Sequence, residues 1–250
     1  MRYYLGTRDA KVLAEKLPMA LIHEGVGEVF LDPTGTFKTG DKVVMVPNAP
    51  VEKDEFIAEN YLRSSKFCGS SMDGFLQEFV EISPKRLVKL PDDIDMTVAA
   101  FTEIVSVSVH AISRFDKIAH ARRNTISVWG DGNLGYITSL FLKYHFPKSK
   151  IVVFGTSSDK LADFTFADET HLVNEVPDGF TTDHAFECVG GNGSPIAIEQ
   201  IIGLIKPEGT ISILGVSEYP VPINTRMILE KVFVYSARQE AVLRIFAKDC

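Results

Sequence analysis

Cysteine is scarce: Cys68, Cys188 and Cys250 are the only three in 250 residues, and no two form a Cys-x-x-Cys pair. That argues against a disulfide framework and against a thiolate zinc cluster, and it fits a reducing cytoplasmic setting. Positive charge is also short, with 26 Lys and Arg against 33 Asp and Glu and a formal charge of −7. Nucleic acid and anionic membrane surfaces are therefore poor partners, because both need a cationic surplus facing phosphates. Long hydrophobic runs are missing too. The opening RYYLGTRDAK has no signal-peptide centre, and the apolar stretch 98–112 is interrupted by Glu103 and His110, so no membrane span is expected. Neither internal repeats nor low-complexity segments occur.

What is present is the balance of a globular enzyme, 45% hydrophobic and 24% charged, with length for one large domain or two ordinary ones. Up to about residue 100 the pattern is β-rich. GVGEVFL, DKVVMV, FLQEFVEI and RLVKL are short β-branched or aromatic runs bounded by Gly, Pro and Asp, as in a small barrel or sandwich. The long connection between Pro47 and Gly74 is expected to be partly helical around Glu55–Leu62. A helix is expected to begin near Thr97 and carry the chain out of the barrel.

From Asn124 the pattern becomes strand, glycine turn, helix, strand: NTISVWG, GDGNLG, YITSLFLKYHF, KIVVFG. Four more strand candidates follow, HLVNEV, DHAFECVGG, GTISILGV and VFVYSA, with SPIAIEQIIGLI helical between two of them. Strands alternating with helices predict a parallel, doubly wound sheet.

Gly130, Asp131, Gly132, Asn133, Leu134 and Gly135 spell GxGxxG between a strand and a helix. In that frame the first glycine permits the tight turn, the second lets backbone approach a pyrophosphate, and the third lets helix pack on strand. An NAD site usually places an acidic residue about 20 positions further on. Gly155 stands there instead, followed by Thr156, Ser157, Ser158 and Lys160. Hydroxyls and a cation in place of a carboxylate favour the 2′-phosphate of NADP(H). The alternative is that these are ordinary loop residues and Asp159 holds the ribose.

LPMALIHEGVGEV sets His23 beside Glu24 at the end of an apolar run. Imidazole and carboxylate are good zinc ligands, and Glu103, amid AAFTEIVSVSVHA, is a charge that needs a partner if buried. Without further context, His23 also reads as a strand-end histidine and Glu24 as a solvent-facing carboxylate. His110, two helical turns past Glu103, reads as a packed helix residue with ligation a lesser alternative.

These features resemble the zinc-dependent medium-chain dehydrogenases, in which a GroES-like barrel precedes a Rossmann domain. More narrowly, RYYLG, LPMALIHEGVGEV, ENYLRSSKF, DDIDMTVAAFTEIVSVSVHAISRFDK, WGDGNLGYI, HAFECVGG, PEGTISILGVSEYPV and NTRMILEK are similar to the ribulose-5-phosphate reductase branch, from Arg2 to about Lys231. The resemblance implies an α/β architecture with a partial GroES-like catalytic domain over residues 1–105 and a Rossmann NADP-binding domain over 106–250. It implies NADPH-dependent, zinc-assisted reduction of D-ribulose 5-phosphate to D-ribitol 5-phosphate for CDP-ribitol and teichoic acid or capsule synthesis.

By the same resemblance, His23, Glu24 and Glu103 are catalytic zinc ligands. A further cysteine ligand belongs to a segment preceding RYYLG, which this chain does not contain. Solitary Cys68 implies no structural zinc. Gly130, Gly132, Asn133, Leu134, Gly135, Thr156, Ser157 and Lys160 bind NADPH, with Val189-Gly190-Gly191 and Leu214-Gly215-Val216 as walls of the nicotinamide pocket. Arg63 and Lys66 are weak candidates for the substrate phosphate, and Arg226 a weaker one. RQEAVLRIFAKDC is unlike the continuation that returns to complete the barrel, so the chain is expected to lack that return. Expected partners are a sugar phosphate, a ribitol-5-phosphate cytidylyltransferase and further copies of the chain. A sorbitol-type zinc polyol dehydrogenase and a metal-free NADPH-binding module are the competing readings.

Overall fold

The computed structural model describes residues 3–6 and 8–237. The expected loss of the barrel-closing return, and Cys250, lie outside them. The chain divides into two compact units that meet between Ser106 and Val107.

The first unit starts with helix α1 (Ala10–Lys16), capped by the Asp9 carboxylate, which accepts from Lys11 and Val12 N–H. Strands β1 (Val26–Glu28), β2 (Lys42–Met45), β3 (Asn48–Ala49), β4 (Lys66–Phe67) and β5 (Leu87–Lys89) follow. They form an antiparallel sheet in the order β1-β2-β5 and a two-stranded β3-β4 ribbon. Val44, Val46, Leu90 and Ala99 make one small core; Met45, Cys68 and Phe75 make another.

FLQEFVEI is not a strand. Its first backbone N–H groups are committed elsewhere: Phe75 donates to Ile22 O at 2.7 Å and Leu76 to Leu21 O at 3.0 Å. Aromatic and β-branched content supplied a strand-like composition without a ladder to join. The helix expected around Glu55–Leu62 is a single 3₁₀ turn, Glu59–Tyr61. The exit helix is split into α2 (Met96–Ala99) and α3 (Thr102–Ile118).

The second unit takes in the rest of α3 and then β6 (Thr125–Trp129), α4 (Asn133–His145), β7 (Lys150–Gly155), α5 (Ser158–Leu161), β8 (Glu169–Leu172) and β9 (Thr182–Glu187). It continues with α6 (Ser194–Leu204), β10 (Ile205–Ile213), α7 (Thr225–Lys231) and β11 (Val234–Ala237). All six strands are parallel, in the order β11-β10-β9-β6-β7-β8. β8 starts two residues before the expected HLVNEV and ends at Leu172.

Strand periodicity explains the two-sided core. On β7, Ile151 and Val153 join a cluster with Ala111, Ile112 and Phe115 of α3 and Leu142 of α4. Val152 and Phe154 point to the other face, among Ala197, Ile198, Ile201 and Ile202 of α6. Each such buried Val, Ile, Leu or Phe contributes about 1.5–3 kcal/mol. Chain order reverses direction between β6 and β9, so the carboxyl ends of these strands open a crevice there. Register pairs Trp129 with both Phe154 and Glu187, which brings three strand ends to one edge of the sheet. No helix among the described residues is long and apolar enough to cross a membrane.

Candidate functional site

In the first unit, His23, Glu24 and Glu103 come together although 79 positions separate Glu24 from Glu103. Their ligand atoms all lie within 4.8 Å of one another. Donors around a tetrahedral zinc sit ~3.4 Å apart, so a small contraction closes the set on an ion. Glu103 is buried at 6% exposure, in the first turn of α3, where the helix N-terminus favours negative charge.

The backbone delivering His23 is held tightly. Ile22 adopts φ 69°, a left-handed conformation costly for a β-branched residue. It is clamped by the loop after β4. Gly74 N–H donates to Ala20 O at 2.7 Å, Phe75 and Leu76 bond to Ile22 and Leu21 as above, and the Asp73 carboxylate accepts from Ala20 N–H at 2.8 Å. A Cβ on Gly74 would lie 2.1 Å from Ile22 O. The His23 ring packs against Phe67, centroids 5.0 Å apart. Burial lowers the His23 pKa against the opposing charge of Glu24, which keeps a lone pair available for a metal.

Cys68 is occupied otherwise, its Sγ receiving an Arg86 N–H at 2.9 Å while the same guanidinium donates to Val46 and Pro47 carbonyls. His110 is not a member of the cluster. Arg63 and Lys66 are exposed, Lys66 immediately before the Phe67 that packs on His23. Arg226 pairs with Glu230 at 2.7 Å along α7.

In the second unit the glycine loop has the shape its sequence demands. Gly130 sits at φ 132°, and its N–H donates to Phe154 O at 2.8 Å. A Cβ on Gly135 would lie 2.0 Å from Gly130 O, so only glycine lets α4 approach this closely. Gly132 caps α4 with open space beside it, and the exposed Asn133 follows. Leu134 packs its side chain on the core, so its backbone N–H is the group it could offer an anion. Asp131, Gly132, Asn133, Tyr136 and Lys160 line a cavity beside this loop.

Two carboxylates that sequence reasoning passed over organise this edge. Asp131 reaches the turn after β7 and accepts from Thr156 N–H at 2.7 Å, Ser157 N–H at 2.8 Å and the Thr156 hydroxyl at 3.2 Å. Burial raises its pKa, yet these donors together with Lys160 bring it below the ordinary value. The Thr156 hydroxyl, expected to serve the cofactor, gives its hydrogen to Asp131. Asp159 lies on α5 and is exposed.

Glu187, fully buried at the end of β9, accepts from Val189 N–H at 3.0 Å, Gly190 N–H at 2.9 Å and Gly215 N–H at 3.2 Å. It ties the turns containing Val189 and Gly215 together. The available signal was a glutamate ending a fully buried strand, three residues before Gly190 and Gly191.

A six-stranded parallel sheet with this loop, following in sequence a β-domain that carries a His and two carboxylates, is the arrangement of a dinucleotide-dependent oxidoreductase. Residues 3–92 match the model of the alcohol dehydrogenase GroES-like domain. Ribulose-5-phosphate reductase 1 of Staphylococcus aureus is 58% identical over 230 residues, covering 92% of this chain and 67% of that protein. Ribulose-5-phosphate reductase of Streptococcus pneumoniae is 48% identical over 240 residues, covering 95% and 69%. The crystal structure of S. aureus TarJ in complex with NADPH superimposes with a TM-score of 0.84 at 49% identity, covering 98% of this chain and 70% of that one. The chain belongs to the ribulose-5-phosphate reductases, within the alcohol dehydrogenases that carry a GroES-like domain.

Proposed function

We propose that the protein reduces D-ribulose 5-phosphate to D-ribitol 5-phosphate with NADPH and a catalytic zinc. The observation carrying this reading is the 58% identity to a ribulose-5-phosphate reductase over 92% of the chain, a span that takes in both units. NADPH is supported by the TarJ complex and by glycine rather than a carboxylate at position 155. Zinc is supported by the donor set, one imidazole and two carboxylates within 4.8 Å.

Bound there, zinc supplies Lewis-acid polarisation of the C2 ketone. NADPH supplies the hydride, and with one proton the ketone becomes the secondary alcohol and the cofactor NADP⁺. The chain's own contributions are separate from these. His23 presents a neutral ring nitrogen, and Glu24 and Glu103 offset the ion's charge. Backbone N–H groups at the start of α4 receive the pyrophosphate. Val189 and Gly215, held in register by Glu187, wall the nicotinamide. Arg63 and Lys66 are assigned to the substrate phosphate as exposed cations, Lys66 next in sequence to Phe67. In this reading the enzyme works in the cytoplasm as a homo-oligomer, and a ribitol-5-phosphate cytidylyltransferase consumes its product for CDP-ribitol.

The test is NADPH oxidation by this chain with D-ribulose 5-phosphate against D-ribulose, alongside metal analysis. Strong preference for the phosphorylated ketose, one zinc per chain and loss of turnover on chelation are expected. Equal turnover of the unphosphorylated ketose points instead to a polyol dehydrogenase. NADPH binding without metal or turnover points to a binding module.

A further inference from the structure

Gly155 ends β7 at the place where an NAD-binding domain carries its ribose-binding carboxylate. In this chain a carboxylate approaches the same place from the opposite side, out of the glycine loop. Asp131 Oδ2 accepts from two successive backbone N–H groups, Thr156 at 2.7 Å and Ser157 at 2.8 Å, and from the Thr156 hydroxyl. A Cβ on Gly155 would lie 2.7 Å from Asp131 Cβ and 2.9 Å from Asp131 Oδ2. A side chain at 155 and the carboxylate of Asp131 are therefore alternative occupants of one space.

Gly130 N–H is already bonded to Phe154 O, so the Asp131 contacts extend an existing join between glycine loop and strand end by two residues. With the Thr156 hydrogen committed, the Ser157 hydroxyl hydrogen and the Lys160 ammonium are left to meet an anion. Lys160 lines the same cavity as Asp131.

We propose that Asp131 is a positioning residue for cofactor choice. By anchoring the 155–157 turn from the glycine loop, it excludes a strand-end carboxylate that would select NADH and holds Ser157 and Lys160 toward the 2′-phosphate of NADPH. The inference rests on the NADPH reading above. Charge alone argues the other way, since a carboxylate repels a phosphate. The three donors on Oδ2 and the nearby Lys160 offset that repulsion, so the anchoring contribution dominates.

The test is fluorescence titration of NADPH and NADH, with 2′,5′-ADP and ADP as probes of the adenosine end alone, none of which needs turnover. Asp131→Ala should weaken NADPH and 2′,5′-ADP by about tenfold, the scale of a lost charge-assisted hydrogen bond, while NADH and ADP change by about twofold or less. Asp131→Asn keeps an acceptor oxygen without the charge and should lose less NADPH affinity than Asp131→Ala. The Asp131→Gly, Gly155→Asp double variant, which removes the Asp131 Cβ as well as its carboxylate, should bind NADH more tightly than NADPH, whereas Gly155→Asp alone, with both side chains in one space, should lose affinity for both. Wild-type preference for NADPH that Asp131→Ala retains or sharpens overturns the inference alone. A wild-type chain that prefers NADH overturns the NADPH reading and the inference with it.

Discussion

Replacing Gly74 by alanine tests whether the loop after β4 is what delivers His23 to the proposed zinc site. The added Cβ would stand 2.1 Å from Ile22 O and 2.4 Å from Leu21 O, where ordinary contact is 3.4–4 Å. The two segments must therefore separate by about 1 Å. Three backbone hydrogen bonds join them, of 2.7, 2.7 and 3.0 Å, and an opening of that size takes each beyond hydrogen-bonding distance. At about 1 kcal/mol each the first unit loses about 2–3 kcal/mol. A displacement of about 1 Å is also several times the ~0.2 Å latitude of a zinc–ligand distance, so zinc affinity should fall at least about tenfold. Gly27 has no heavy atom within 4 Å of its notional Cβ and serves as the control. Thermal melts and zinc competition against a chelator read both effects. If Gly74→Ala matches Gly27→Ala in melting temperature and zinc affinity, the clamp does not position His23.

Two further outcomes follow from carboxylates in the second unit. Asp183 is fully buried, accepts from Thr125 N–H at 3.0 Å and pairs with Arg122 and Lys206 at 2.9 Å each. Burial raises its pKa, but the Thr125 N–H and the two cations outweigh that and lower it. A carboxylate with a depressed pKa stabilises the fold above its unfolded pKa of about 3.9, and that stability is lost as pH falls through the folded value. Asp183→Asn should cost about 1–2 kcal/mol in urea unfolding at pH 7, discounted because both cations are part-exposed, and the gap from wild type should close below about pH 4. A gap that persists undiminished at pH 3 contradicts this assignment. Gly215→Ala would put a Cβ 2.3 Å from Gly190 N and 2.6 Å from a Glu187 carboxylate oxygen. It should cost about 3 kcal/mol and weaken NADPH, while Gly203→Ala, in open space on α6, should be neutral or stabilising; equal urea midpoints for the two variants would refute the strain.

Much of the second unit was legible because its signals are local. Runs such as KIVVFG are apolar on both faces, which only a sheet covered on both sides can bury. GDGNLG puts glycine at the two places where a Cβ would strike Cys188 O or Gly130 O. The first unit was less legible, since its short strands depend on partners distant in sequence. FLQEFVEI has the aromatic and β-branched content of a strand, yet its first two N–H groups meet Ile22 and Leu21 rather than a neighbouring strand.

The sequence by itself determined the chain order of the six parallel strands, the dinucleotide fold and which residue types could hold a metal, because these follow from periodicity, turn chemistry and donor identity. Only tertiary structure decided what meets what. It brought Glu103 to His23 and Glu24, gave the Thr156 hydroxyl to Asp131, and joined the Val189 and Gly215 turns through Glu187. Each of these is a contact between distant segments, specified by strand order and loop path rather than by neighbouring residues. A one-dimensional pattern records that a buried carboxylate needs donors, while the packed chain selects which donors reach it.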